Sequence, residues 1–86
     1  MAGLIINKYR IEKTDGTPID DDAEYFVLRI DNDPYAREAL REYARCIEHI
    51  NPSAWRELRE WADRCEQKLS AIERWRQYDS AAKNWR

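Results

Sequence analysis

The stretch from Asp33 to Glu66 is nearly the same sequence written twice, and it constrains the fold more than any other part of the chain. Asp33-Pro34-Tyr35-Ala36-Arg37-Glu38-Ala39-Leu40-Arg41-Glu42-Tyr43-Ala44 returns eighteen residues later as Asn51-Pro52-Ser53-Ala54-Trp55-Arg56-Glu57-Leu58-Arg59-Glu60-Trp61-Ala62. Each copy opens on an Asp or Asn whose side chain accepts the orphan N–H groups of a first helical turn. The proline that follows sits at N1, where its missing donor costs nothing. Two helix starts are therefore predicted, and the pattern itself carries no chemistry.

Eighty-six residues make one domain, and a chain so short buries only about 60% of its unfolded surface. Such domains lean on disulfides, metals or oligomerisation. The chain has two cysteines, Cys46 and Cys65, and one histidine, His49, too few for a closed structural zinc site without borrowed carboxylates. A Cys46–Cys65 bridge between neighbouring helices is conceivable. With no N-terminal apolar run resembling a signal peptide, a cytoplasmic setting with reduced thiols is expected, and both cysteines read first as small apolar side chains. Oligomerisation, with a dimer the simplest closed form, is the expected source of extra buried area.

No window approaches the ~20 apolar residues of a membrane span. A net charge of -2 argues against a general nucleic-acid binder, which needs a basic surplus. The charge is unevenly spread. Residues 1–33 carry four basic and eight acidic side chains, and residues 64–86 carry six and three. The chain runs from an acidic head to a basic, Trp-rich tail.

Leu4 to Ile11 reads as a strand with Ile5, Tyr9 and Ile11 on one face. Thr14-Asp15-Gly16-Thr17-Pro18 is turn chemistry, with Gly16 free to take positive φ. Glu24 to Ile30 reads as a second strand, with Phe26, Leu28 and Ile30 on one face and Tyr25, Val27 and Arg29 on the other. A hairpin of two such strands needs a helical layer.

The first helix is predicted from Pro34 to about His49, with Ala36, Leu40, Tyr43, Ile47 and Ile50 as its apolar stripe. Arg37, Arg41 and Arg45 are expected on the solvated side. Asn51-Pro52 turns the chain into an αα-hairpin. The second helix has no internal Gly or Pro, and Leu58, Ala62, Cys65, Leu69 and Ile72 step by four and three along it. Asp79-Ser80 either caps a short separate helix or lies in a fraying end.

Catalytic readings find little support. His49 lies at the C-terminal end of the first helix, where the helix dipole favours its charged form, and it reads as a surface capping residue. There is no phosphate loop and no metal-ligand spacing. Asp20-Asp21-Asp22 with Asp31 and Asp33 is read as a solvated acidic loop, since a calcium loop also needs its glycine and a distal Glu. The tail mixes cations with aromatics and suits three roles: stacking bases, covering the domain as a lid, or binding a protein through Trp, Tyr and Arg. Four tryptophans in a chain of mean hydropathy -0.95 exceed what one small two-layer core can bury, so some belong at an interface. The candidate partner-binding residues are Trp61, Trp75, Arg76, Tyr78, Trp85 and Arg86.

The segments Lys8-Tyr9-Arg10-Ile11-Glu12-Lys13-Thr14-Asp15-Gly16-Thr17-Pro18, Tyr25-Phe26-Val27-Leu28-Arg29 and Asp33-Pro34 resemble a group of small bacterial and prophage proteins. Their pattern is KYRIxKxDGxPxDPxAxYFVLRxDxDPxAxxALxxYA. The likeness covers about residues 8–44; Asp21 stands where the group has proline, and the end beyond Glu66 has no counterpart. The group carries no established activity, so the resemblance implies a bacterial or phage setting and a shared scaffold.

The expected fold is α+β: an N-terminal two-stranded β-hairpin (residues 3–31) packed on an antiparallel αα-hairpin with a long C-terminal helix. The first helix spans residues 33–50, and the second spans 51–86 with its Trp/Arg-rich tail. The expected function is a non-enzymatic binding module, docking on a host or phage protein without a cofactor and acting as a counter-defence inhibitor. The alternatives are a small-ligand or nucleotide binder at a protomer interface, and single-stranded nucleic-acid binding through the tail.

Overall fold

A computed structural model describes residues 3–6 and 9–84, with residues 3–6 and 84 described by their backbone. Two short strands, β1 (Gly3–Ile6) and β2 (Tyr9–Glu12), precede three helices: α1 (Pro34–Cys46), α2 (Pro52–Gln67) and α3 (Ala71–Asn84). The architecture is predominantly helical, with α1 in the middle.

Both duplicated helix starts form through their caps. The Asp33 carboxylate accepts the Tyr35 N–H at 2.9 Å, and the Asn51 side-chain oxygen accepts the Ala54 N–H at 3.1 Å. α1 stops at Cys46, one turn short of the expected His49. There the Ile47 carbonyl accepts the N–H groups of Ile50 and Asn51 at 3.0 and 2.8 Å. That tight turn closes the short connection into α2.

The expected α+β fold is not what forms. Leu4–Ile11 is not one strand; it folds on itself, pairing Gly3 with Glu12 and Ile6 with Tyr9 in antiparallel register. Glu24–Ile30, the second expected strand, belongs to no strand at all. Closing a contact within ten residues costs less chain entropy than pairing segments some twenty apart, and the local hairpin wins. Two four-residue strands make no layer that could carry the helices. The turn chemistry itself is present: Gly16 has a φ of 79°, and Asp15 accepts the Thr17 N–H at 3.0 Å.

The expected long second helix is also broken. After Gln67 the chain bends, and Ser70 caps the start of α3. Its hydroxyl accepts the Glu73 N–H at 3.1 Å and donates to the Glu73 carboxylate at 3.2 Å. This Ser-x-x-Glu signature was readable in the sequence. The apolar spacing from Leu58 to Ile72 runs straight through it and suggests continuity instead. α3 (Ala71–Asn84) packs on α1 as a separate element, so residues 73–84 do not continue α2.

Because α1 is flanked on two sides, it needs two covered faces, and the second falls on the ridge expected to be solvated. Arg37 is completely buried and Arg41 half-buried. Conversely, Tyr43 and Ile50 from the expected apolar stripe are exposed. Among the described residues the fully covered apolar side chains are Ala36, Ala44 and Ala62, beside Pro34. Leu40, Ile47, Leu58, Cys65 and Leu69 are half-buried. The accessible surface is 7200 Å², against about 5,400 Å² for a compact chain of this mass.

Candidate functional site

The residues that stand out chemically are large side chains left in solvent. α3 shows this most clearly. Gln77 on its α1-facing side bonds inward, while Ile72 and Trp75 point away, with Trp75 68% exposed. A helix that turns a half-buried glutamine inward and presents a tryptophan to solvent has its amphipathic order reversed relative to its own domain. The reversal has a local cause. Arg37 on α1 donates from Nη2 to the Gln77 side-chain oxygen at 2.8 Å and from Nη1 to the Ile30 carbonyl at 3.0 Å. Gln77 in turn donates to the Asp31 carbonyl at 3.1 Å. These polar contacts fix the rotation of α3 and turn Ile72 and Trp75 outward.

The expected binding residues are dispersed. Tyr78 is brought against Tyr35 of α1 in an edge-to-face contact, with centroids 5.4 Å apart. Arg76 is exposed on α3. Trp61 is exposed on α2 and lines a shallow hollow with Glu57, Leu58, Glu60 and Arg64. One helix lines that hollow, and it offers no opposing wall to enclose a small molecule. Among the described residues no ring contact or hydrogen bond joins Trp61 to Trp75, Arg76 or Tyr78. Trp85 and Arg86 lie outside the described residues. Trp55, by contrast, is half-buried under the Arg59 guanidinium, 4.6 Å from the ring centroid.

The titratable groups are held in local surface pairs. The Arg29 guanidinium donates to Asp31 at 2.8 and 3.1 Å and holds that carboxyl below its ordinary range. Hydrogen bonds from Arg45 do the same to Glu42, and the Thr17 N–H and hydroxyl do so to Asp15. With Asp31 paired and Asp33 capping α1, two of the five acidic residues considered for a cation are engaged elsewhere. Among the described residues no three His, Cys, Asp or Glu side chains converge as a metal site. His49 is exposed beyond the end of α1, 3.8 Å from Glu48, longer than a hydrogen bond. Cys46 and Cys65 are free thiols. Among the described residues no helix is long and apolar enough to cross a membrane.

Sequence reasoning missed Arg37 and Gln77. Nothing in their spacing distinguishes Arg37 from Arg41 and Arg45, and only a third helix lying on α1 makes it special. No family model matches the chain, and no curated protein or solved structure matches it.

Proposed function

We propose that this chain is a small non-enzymatic binding module that docks on another protein through the outward face of α3, extended by Trp61 on α2. The reversed order of α3 carries this reading: Trp75 and Ile72 face solvent while Gln77 is turned inward. Tryptophan, tyrosine and arginine dominate the energetic centres of protein interfaces; Trp75 stands on the outward face of α3, with Arg76 on one flank and Tyr78, packed against Tyr35, on the other. The resemblance of residues 8–44 to bacterial and prophage proteins supports a phage or prophage setting, with a host protein as the partner and counter-defence inhibition as its role.

Affinity capture from a bacterial lysate tests this, comparing the full chain with Trp75→Ala and with a Trp61→Ala, Trp75→Ala double variant. A hot-spot tryptophan contributes about 2 kcal/mol or more. Trp75→Ala should therefore release the partner at wash times that leave the wild type bound, with helicity by circular dichroism unchanged. Undiminished capture by the double variant would remove this surface from consideration.

A further inference from the structure

We propose that Glu24–Ile30 is an unfinished edge strand that pairs antiparallel with the same segment of a second copy of this chain, about a two-fold axis through Val27. This surface lies on a different part of the chain from α3 and does not depend on the binding face described above. The sequence Tyr25-Phe26-Val27-Leu28-Arg29-Ile30 is rich in aromatic and branched residues that favour strands. Yet the segment lies in no strand, helix or turn through Arg29. Among the described residues no backbone N–H or C=O from Glu24 to Leu28 has a hydrogen-bond partner. The side chains of Tyr25, Val27 and Leu28 are each more than a third exposed, and Phe26 is 81% exposed.

The segment is also held in place at its C-terminal end. The Arg29 carbonyl accepts the Asp33 N–H at 3.3 Å, and the buried Arg37 holds the Ile30 carbonyl at 3.0 Å. An apolar run with free backbone groups, anchored to a helical body, is the template to which another strand adds. Within the chain, β1 and β2 pair with each other and not with this segment.

Two-fold symmetry selects the second copy and the register. An antiparallel pair related by a two-fold axis places residues of the same parity opposite each other, because opposed residues share a face. With Val27 facing Val27, Phe26 faces Leu28 and Tyr25 faces Arg29. One face is then wholly apolar across its centre, and the other sets a guanidinium against a tyrosine ring, both favourable cross-strand pairs. The N–H and C=O groups of Phe26 and Leu28 on the two copies form the ladder and leave the Arg29 and Ile30 carbonyls to the partners they already have. The surface balance agrees. The 7200 Å² exposed exceeds the compact expectation by more than the ~800 Å² per partner that a standard interface covers.

Sedimentation equilibrium on the full chain tests this, with Val27→Lys, Val27→Glu and an equimolar mixture of the two. The wild type should dimerise at micromolar concentrations. Each variant alone sets like charges face to face on the axis and should associate about tenfold more weakly or worse. The mixture sets opposite charges face to face and should recover the dimer. A wild type that stays monomeric, variants that dimerise unchanged, or a mixture no tighter than its components would each overturn the proposal. Pairing of Glu24–Ile30 with β2 of the same chain would show as a monomeric wild type. Should circular dichroism show lost helicity in the Val27 variants, Phe26→Lys alters a side chain already in water. It must also weaken the dimer, and an unchanged dimer overturns the proposal.

Discussion

On the side of α1 that meets α2, Arg41 donates to Asp63 at 3.0 Å and to Glu66 at 2.9 Å, with Glu38 of its own helix at 2.6 Å. On the side that meets α3, Arg37 has no carboxylate among the described residues. It donates to a backbone carbonyl and a glutamine, and its Nε has no partner. The first arginine is compensated and keeps contact with water; the second is buried among neutral groups. A charge with solvent access and opposite charges nearby is cheap to keep and contributes little when lost. A buried cation is costly unless every donor is satisfied, so the groups around it are strongly constrained. The two flanks of α1 are thus held by different physics. α2 rests on a half-buried apolar stripe with surface ion pairs at its edge, and α3 rests on a polar lock.

That difference orders the expected effects. Arg37→Ala should be the largest, costing about 2–5 kcal/mol, because it removes a fully covered side chain and orphans the Gln77 and Ile30 oxygens. Against a total stability of roughly 4–13 kcal/mol for a chain of this length, urea denaturation should show an early loss assigned to α3. Gln77→Ala comes next at about 1–3 kcal/mol, since it leaves Nη2 of a buried guanidinium unpaired. Equal stability of this variant and the wild type would show that water replaces the glutamine and that the lock is weaker than argued. Arg41→Ala should cost only about 1 kcal/mol, and the difference should shrink as salt is raised. A loss as large as that of Arg37→Ala would erase the distinction between the two flanks.

The smallest effect is one of pH. The hydrogen bonds from Arg29 hold the Asp31 carboxyl below its ordinary value of 3.8. A lowered folded value means the pairing stabilises the fold in full above pH 3.8 and is lost as the pH falls through the lowered value. Circular dichroism should show a shallow acid loss below that point, reduced in Asp31→Asn. The main-chain carbonyl that Gln77 uses is untouched by this change.

How much of this was legible beforehand depends on how local the cause is. The caps at Asp33 and Asn51 act within three residues, and their prolines mark them. The stripe of Leu58, Ala62, Cys65, Leu69 and Ile72 needs only helical periodicity to predict a covered face; the first four are covered or half-covered, while Ile72, beyond the break into α3, is exposed. Ser70 and Glu73 were equally local, but a competing apolar period across the break obscured them. Arg37 was illegible because its environment comes from Gln77, forty residues away, and from Ile30 ahead of the helix. Glu24–Ile30 shows the opposite failure. Its strand character is plain in the residues, but a strand also needs a partner, and among the described residues it pairs with none. The candidate surface was legible only as the exposure of Trp61, Trp75, Arg76 and Tyr78, with Trp85 and Arg86 outside the described residues. It was not legible in place, because the rotation of α3 is set by contacts with α1.

The buried arginine, and not apolar packing, holds α3 on α1. Amide hydrogen exchange on the intact wild type and on Arg37→Ala reads this residue by residue. The expected result is that α3 amides in the variant exchange at nearly unprotected rates while those of α2 keep most of their protection. Protection of α3 that survives the substitution, or falls only in step with α2, would contradict it.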